Sequence, residues 1–192
     1  MAIKVYFGSP GAGKSTHATM ICRKALKKNI KVYSNFFVEG AIEINPIEDL
    51  GNYLIEGGIV LLDEAGIFAN NRKFKTLPQS FVEFCKLYRH FHIRDIYVYS
   101  QAPDDMDITI RRLSTEFYLL HKSLLPQFSY TRRIARIIGV IDPVTKQITD
   151  GYKYVPLSKR YFFRPLYYKY FDSWSTPDLP TKDFKIYTNN PA

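Results

Sequence analysis

A glycine-rich stretch near the N-terminus constrains this chain more than any other feature. It matches the pattern G-x-x-x-x-G-K-[ST] at every required position. Its members are Gly8, Ser9, Pro10, Gly11, Ala12, Gly13, Lys14, Ser15 and Thr16. An apolar run precedes the stretch and helical periodicity follows it, so we expect a strand, a phosphate-binding loop and a helix. The pattern therefore predicts a nucleoside triphosphate site, whereas the alternative is a glycine-rich turn without a ligand.

Two side chains of this loop have distinct expected roles. The loop backbone and the N-terminus of the following helix present N–H groups to phosphate oxygens. Lys14 is expected to reach the terminal phosphates of ATP, and the Ser15 hydroxyl is expected to bind Mg²⁺. The sequence thus predicts both ATP and a magnesium ion as ligands.

A second acidic motif follows a continuous apolar run, Ile59-Val60-Leu61-Leu62. Such a run suits a strand that is covered on both faces, and Asp63 and Glu64 come at its end. Asp63 is expected to hold the magnesium ion, and Glu64 to orient and deprotonate an attacking water. The alternative is an ordinary strand end with two solvated carboxylates.

Three further residues are candidates for catalysis. Gln101 follows the next strand segment, where a polar side chain can contact the γ-phosphate or the attacking water; Ser100 is the second choice, and a polar turn the alternative. Arg111 and Arg112 are candidates for stabilising charge on the transferred phosphoryl group, by reaching into the site of a neighbouring subunit. Either arginine could instead contact DNA or solvent.

The apolar periodicity predicts an α/β fold with an open, mostly parallel sheet and helices on both sides. Strands are expected at residues 3–7, 30–37, 59–62, 95–100 and 116–120. Helices are expected after Ser15, from Ser80, where Glu83 completes a capping box, and from about Asp104 to Arg112. Residues 40–56 are expected to be irregular. Segments 132–140 and 148–155 flank an Asp142-Pro143 turn and predict an added β-hairpin.

The length of 192 residues suits one domain, with a P-loop core at 1–125 and a basic, aromatic-rich extension at 126–192. Cys22 and Cys85 lie on apolar helix faces and are expected to be buried, reduced thiols. The histidines are not spaced as metal ligands. The sequence offers neither a signal peptide nor an apolar run long enough to cross a membrane, so a cytoplasmic protein is expected.

The net charge of +9 is unevenly placed. Residues 110–170 contain twelve basic and three acidic side chains, interleaved with aromatic ones. Among the aromatic residues are Tyr152, Tyr154, Tyr161, Phe162, Phe163, Tyr167 and Tyr168. Cations that pair with phosphates and rings that stack on bases are typical of a nucleic-acid surface. A solvated basic face above an aromatic core explains the composition equally well.

Taken together, these motifs resemble the zonula occludens toxin-like (Zot) ATPase family of filamentous phage assembly proteins, within the FtsK/HerA group of DNA-translocating ATPases. The matching segments are GSPGAGKST at 8–16, VYSNF at 32–36, IVLLDEAG at 59–66, YVYSQAPDDMDITIRRL at 97–113 and YYKYFDSW at 167–174. The resemblance rests most on the Gln101 segment, with Asp107 and Arg111, and on the aromatic-Asp-Ser piece near the C-terminus.

The resemblance implies a RecA-like (ASCE) core, a ring-shaped homo-oligomer, and ATP hydrolysis coupled to moving or packaging viral or plasmid DNA. It also implies phage or membrane assembly partners, which could recruit the chain to a membrane or virion from the host cytoplasm. Many family members continue into a membrane-spanning helix and an extracytoplasmic domain, which this sequence does not contain.

Two other functions fit parts of the sequence. The glycine loop also resembles that of adenylate-kinase-type enzymes, with Arg132, Arg133 and Arg136 as possible lid residues that grip phosphates. Against a kinase stand Glu64 and Gln101, because a kinase's nucleophile arrives with its substrate. The remaining alternative is a nucleic-acid-binding ring that ATP assembles and in which hydrolysis is incidental.

Overall fold

A computed structural model of the chain describes residues 1–64, 77–141 and 148–171. Within these ranges it contains a sheet of nine strands: β1 Ala2–Phe7, β2 Val32–Ser34, β3 Ile42–Glu43, β4 Gly58–Leu62, β5 Ile93–Ser100, β6 Glu116–Lys122, β7 Phe128–Ile141, β8 Ile148–Tyr154 and β9 Arg160–Phe163. The α-helices of the described part are α1 Lys14–Leu26, α2 Gln79–Leu87 and α3 Ile108–Leu113. Two 3₁₀ helices span Pro103–Asp105 and Arg164–Tyr170.

The strand order is β3-β2-β4-β5-β1-β6-β7-β8, and β9 pairs with β7. Strands β1 to β6 are parallel to one another, whereas β7 pairs antiparallel with β6, β8 and β9. The predicted mostly parallel sheet and the added hairpin are both confirmed. The predicted Asp142-Pro143 turn lies outside the described residues. Because β5 lies between β1 and β4, the ends of these three strands meet at one edge of the sheet.

Helices pack on both faces of the sheet, as the alternating residues of its strands require. Val5 and Phe7 of β1 belong to a buried cluster that also contains Phe81 of α2 and Ile110 of α3. Tyr6, which points to the opposite face, belongs to a second cluster that includes α1 residues. The two-sided helical layering predicted from the sequence is thus confirmed.

Some local predictions were wrong. The helix α2 begins at Gln79 with Pro78 as its N-cap, so Ser80 lies inside the helix, and the Glu83 carboxylate accepts a hydrogen bond from Gln79 Nε2 at 2.9 Å. The predicted Ser80 capping box is therefore not formed. The helix expected from about Asp104 is divided, since Asp107 caps α3 by accepting from the Thr109 N–H at 2.6 Å. Strand β2 is shorter than predicted, and β3 lies in the segment expected to be irregular.

The cysteines and a buried histidine belong to the interior. Cys22 and Cys85 are buried and free, as expected. His17 is buried on α1, with its Nδ1 atom 2.9 Å from the Tyr99 hydroxyl. In the described part of the chain, no helix combines the length and apolar character needed to cross a bilayer.

Candidate nucleotide-binding site

The loop between β1 and α1 has a backbone that glycine makes possible. Gly11 and Gly13 have φ angles of 71° and 99°, in the left-handed region that other residues rarely adopt. A Cβ at Gly8 would lie 2.8 Å from the Leu120 carbonyl oxygen, so this glycine permits close contact with β6. The glycine positions of the motif therefore have a structural reason in this chain.

Lys14 is folded back over its own loop. Its Nζ atom donates a hydrogen bond to the Gly8 carbonyl at 2.8 Å and lies 3.4 Å from the Ser9 carbonyl. Burial lowers the pKa of the Lys14 ammonium, an effect that the carboxylates of Asp63 and Glu64 partly offset. The ammonium therefore lies against the backbone of the loop, in the cleft that this loop lines.

The two motifs meet through Ser15 and Asp63. The Ser15 hydroxyl donates a hydrogen bond to Asp63 Oδ2 at 2.8 Å. Burial raises the pKa of the Asp63 carboxyl, against the opposing effects of this hydrogen bond, of the Glu64 N–H and of Lys14. A hydroxyl and a carboxylate are hard oxygen ligands of the kind that Mg²⁺ prefers. The donor set at this point of the cleft thus fits the predicted magnesium ion.

Asn35 holds the backbone of Asp63, a contact that the sequence did not reveal. Its side-chain amide makes two hydrogen bonds to Asp63: Nδ2 donates to the carbonyl at 3.0 Å, and Oδ1 accepts from the N–H at 2.8 Å. Asn35 was visible only as a polar residue near the end of β2. Asn35 reaches Asp63 because β2 pairs with β4, which places the ends of these two strands side by side.

Glu64 adopts an unusual backbone conformation at the end of the second motif. Its φ angle is 51°, and its N–H donates to Asp63 Oδ1 at 2.9 Å. Non-glycine residues in the left-handed region cost about 1–2 kcal/mol and concentrate at functional sites. The conformation leaves the Glu64 side chain exposed at the edge of the cleft.

At the end of β5, the Gln101 side chain lines the cleft, whereas the Ser100 side chain is buried. Ser100 is buried, its hydroxyl donates to the Ala102 carbonyl at 3.2 Å, and its own carbonyl accepts from the Gly8 N–H at 3.1 Å. Gln101 is exposed and lines the cleft. Of the two alternatives, Gln101 is the one among the described residues that line the cleft.

These residues surround one open cleft of about 680 Å³. Its lining includes most of the predicted site: Pro10, Gly11, Gly13, Lys14, Ser15, Thr16, Asp63, Glu64 and Gln101. Gly8, Ser9 and Ala12 belong to the same loop, in which the Ala12 N–H donates to the Ser9 carbonyl at 3.0 Å. The structure therefore brings both motifs and the end of β5 together at one edge of the sheet.

The two candidate arginines lie elsewhere. Arg111 and Arg112 are on α3, and neither is among the described residues that line the cleft of their own chain. The Arg111 Nη1 atom lies 3.7 Å from Asp104 Oδ1, whereas Arg112 is exposed. Their contribution to a neighbouring subunit's site stays a prediction.

Three cleft residues were missed because they come from the far end of the chain. Arg164, Tyr168 and Phe171 line the same cleft as Asp63 and Glu64. They reach it because β9 pairs with the start of β7, which places the following 3₁₀ helix beside the glycine loop and α1. Local sequence patterns carry no signal for such a contact between residues about 150 positions apart.

The predicted basic and aromatic set divides into core and surface. Phe162 is buried, and Tyr152 packs against Phe7 and Phe117 with ring centroids 6.1 and 6.0 Å apart. Tyr154 and Tyr161 are instead 47% and 59% exposed. Part of the aromatic set therefore belongs to the core, and part is exposed to solvent, where the predicted contact with nucleic acid stays a prediction.

The exposed Tyr154, Lys159 and Tyr161 contact the half-buried Arg132 and Tyr130 of β7, and we call these five residues the tyrosine–cation strip. The Arg132 guanidinium lies 3.9 Å from the Tyr154 ring centroid, and Lys159 Nζ lies 5.2 Å from that of Tyr130. The Tyr130 and Tyr161 rings are 5.3 Å apart. The strip combines exposed rings with cations, the arrangement suited to single-stranded nucleic acid.

Comparison with known proteins identifies the fold. No protein-family profile matches the chain, and no curated protein matches it in sequence. The N-terminal domain of zonular occludens toxin from Neisseria meningitidis superimposes with a TM-score of 0.58 at 19% identity, covering 89% of this chain and 98% of that domain. The DNA-packaging ATPase B204 of Sulfolobus Turreted Icosahedral Virus gives a TM-score of 0.47 at 10% identity, over 78% and 96% of the two chains. The chain thus has the P-loop NTPase fold of the zonula occludens toxin N-terminal domain, as its motifs predict.

Proposed function

We propose that this chain is an ATP-hydrolysing motor that moves or packages viral or plasmid DNA. The observation that carries the proposal is the 2.8 Å hydrogen bond between Ser15 and Asp63, because it joins both motifs in one cleft. Lys14, Glu64 and Gln101 line the same cleft. A loop for phosphates, oxygen ligands for magnesium and a carboxylate for water are the parts that ATP hydrolysis needs.

Each residue has a separate task in this proposal. The glycine loop holds the phosphate chain with its N–H groups, and Lys14 neutralises the terminal phosphates. Ser15 and Asp63 would hold the magnesium ion, which would supply further neutralisation of charge on the phosphates. Because Ser15 and Asp63 already lie within hydrogen-bond distance, little rearrangement of either side chain is needed to share one cation.

Glu64 is the general base of the proposed reaction. A water oxygen bonds to the γ-phosphorus, the bond between this phosphorus and the β–γ bridging oxygen breaks, and Glu64 takes the water proton. The products are ADP and phosphate. Gln101, at the end of the strand between β1 and β4, orients the water or contacts the γ-phosphate. The exposed position of Glu64 at the cleft edge supports this role.

A ring-shaped oligomer belongs to the proposal. Arg111 and Arg112 lie on α3, where Arg112 is exposed, and neither is among the described residues that line their own cleft. An arginine that stabilises transition-state charge can be supplied by a neighbouring subunit. We assign this task to Arg111 or Arg112 across a subunit interface, in the cytoplasm, where ATP is available.

Nucleic acid is the proposed track of the motor, and the tyrosine–cation strip is its proposed contact surface. Arg132 and Lys159 supply charge for phosphates, whereas Tyr154 and Tyr161 expose rings on which bases can stack. The strands that carry the tyrosine–cation strip join the parallel part of the sheet because β7 pairs with β6. This pairing supports residues 126–192 as an extension of the ATPase core at 1–125.

The kinase alternative has little support from the geometry. Arg132, Arg133 and Arg136 lie on β7 within the sheet, and none of them is among the described residues that line the cleft. The Arg136 guanidinium donates to the Arg111 carbonyl at 2.9 Å instead. No described contact places these arginines as a lid over the nucleotide.

The test is phosphate release from ATP without any nucleotide acceptor, measured with and without DNA. A motor should release phosphate, and DNA should accelerate the release. Arg132→Ala/Lys159→Ala should weaken DNA binding and lower its dependence on salt by about one log–log unit for each phosphate that no longer pairs with a cation. Lys27→Ala/Lys28→Ala removes the same charge from the exposed end of α1 and should bind DNA like the wild type.

Each alternative makes a different prediction in these assays. Release that requires a nucleoside monophosphate would favour the kinase. A ring that binds DNA and retains its function with Glu64→Gln would favour the ATP-gated module. DNA binding that does not weaken between low and moderate salt would rule out the tyrosine–cation strip as the contact surface.

A further inference from the structure

Arg164 lies over the glycine loop although it is about 150 residues away in sequence. Its Nη1 atom lies 3.4 Å from the Gly11 carbonyl, and Nη2 donates to the Pro126 carbonyl. A Cβ placed on Gly13 would meet the Arg164 Cδ atom at 3.2 Å, so the stem of the side chain runs against the loop backbone. Arg164 therefore lies against the glycine loop and lines the cleft that also contains Asp63 and Glu64.

In the part of the chain that the structure describes, this guanidinium forms no ion pair. Among the described residues, no carboxylate lies within ion-pair distance of Arg164, and its hydrogen bonds go to neutral carbonyls. Its Nε atom is buried without a hydrogen-bond partner in the described part of the chain. Lys14 adds a second cation to the same cleft, and a Cβ on Gly11 would lie 3.1 Å from Lys122 Nζ.

Cations that converge on one loop repel each other unless an anion lies between them. A polyphosphate carries several negative charges and can accept hydrogen bonds from a guanidinium in its planar, two-pronged geometry. The carbonyl of Gly11, at 3.4 Å, is a weak partner that a phosphate oxygen can replace.

We propose that Arg164 contacts the phosphate chain of the bound nucleotide from within the same subunit. This inference rests on the proposed ATP site and adds an arginine in cis to the arginine that a neighbour supplies. Since Arg164 directly follows β9, whose Arg160 and Tyr161 precede it in the chain, the contact also joins the nucleotide to the strand that completes the tyrosine–cation strip.

The experiment measures the affinity of the full chain for ATP and for adenosine by isothermal titration calorimetry. Arg164→Ala should weaken ATP binding about 10- to 100-fold, the usual effect of losing charge-assisted hydrogen bonds, and leave adenosine binding unchanged. Arg164→Lys, which keeps the charge but not the two-pronged geometry, should lose less. Lys169→Ala removes one charge from the same 3₁₀ helix, and its exposed side chain is not among those lining the cleft. This control should bind ATP like the wild type.

The results separate this inference from the ATP site itself. If the wild type binds ATP, Lys14→Ala does not, and Arg164→Ala binds like Lys169→Ala, the ATP site stands and the role of Arg164 is refuted. If the wild type does not bind ATP, the proposed function fails, and the inference fails with it. Should Arg164→Ala melt at a lower temperature than the wild type, the comparison moves to Arg164→Lys and Arg164→Gln. Equal ATP affinity in these two variants and the wild type would then overturn the inference.

Discussion

Asn35→Ala is the variant whose effect follows most directly from the geometry of the site. The change removes two hydrogen bonds that hold Asp63, of 2.8 and 3.0 Å, and leaves the Asp63 N–H without its acceptor. At about 1 kcal/mol for each hydrogen bond, the free energy of unfolding should fall by about 2 kcal/mol. Both hydrogen bonds join the Asn35 side chain to the backbone of Asp63. The variant therefore tests the position of the Asp63 carboxylate without changing the carboxylate itself.

Activity should fall together with stability. If Asp63 moves by about 1 Å relative to Ser15, the rate of ATP hydrolysis should drop by roughly 100-fold, the usual cost of such a displacement at a reacting centre. The assays are urea unfolding, followed by circular dichroism, and steady-state phosphate release at saturating ATP. The drop should appear mainly in kcat, because the glycine loop that holds the phosphates is unchanged.

Asn52→Ala is the matched control for this prediction. Asn52 also donates a side-chain hydrogen bond to a backbone carbonyl, that of Glu48 at 2.9 Å, but it is exposed and is not among the described residues that line the cleft. Its loss should change stability by less than about 0.5 kcal/mol and leave hydrolysis unchanged. If Asn35→Ala behaves like Asn52→Ala in both assays, the reasoning that Asn35 positions Asp63 is refuted.

Two other predictions concern the scaffold. Gly57 and Gly58 have φ angles of 72° and 92°, but a Cβ on Gly58 would lie 2.3 Å from the Lys31 carbonyl oxygen, whereas one on Gly57 meets nothing within 4 Å. Gly57→Ala should therefore cost about 1 kcal/mol and Gly58→Ala at least about 1 kcal/mol more in urea unfolding, and equal losses would contradict this packing. Burial raises the pKa of the Cys22 and Cys85 thiols to about 11 and about 12, so neither should react with a thiol reagent at pH 8 until the chain unfolds. Rapid labelling of the folded protein would show that these residues are not buried.

The features that the sequence predicted well are those that depend on residues close together in the chain. The glycine loop, the apolar strand before Asp63 and the hairpin of β7 and β8 each depend on patterns within a few turns or strand lengths. Parallel strands then bring Gln101 between the two motifs, because the carboxyl ends of β1, β4 and β5 share one edge. The core and most of the candidate cleft could therefore be predicted.

The features that the sequence did not predict depend on contacts between distant segments. Asn35 lies next to Asp63 only because β2 pairs with β4, and Arg164 reaches the loop only because β9 pairs with β7. The prediction of where α2 starts failed for a different reason. Ser80 matches a capping pattern, but the helix already begins at Gln79, with Pro78 as its N-cap. The preference of Ser80 for an N-cap position was overridden there by Pro78, two residues earlier.

Division of the aromatic residues between core and surface also depends on register. Successive residues of a strand point to opposite faces, so Tyr161 is exposed on β9 whereas Phe162 is buried. On β8, Tyr152 and Tyr154 are two residues apart and share one face; Tyr152 packs against Phe117, whereas Tyr154, the last residue of the strand, contacts Arg132. Composition indicated that basic and aromatic residues occur together, but only the register of the strands shows which of them are available to a ligand.

The central claim is that water attacks ATP in the cleft beside Glu64. The most direct test is single-turnover phosphate release by the wild type and by Glu64→Gln, with ATP binding measured in parallel and Glu48→Gln, an exposed glutamate on another segment, as the control. We expect Glu64→Gln to bind ATP as tightly as the wild type and to release phosphate at least about 100-fold more slowly, while Glu48→Gln is unaffected. Release at the wild-type rate from Glu64→Gln would contradict the assignment of the water-activating base.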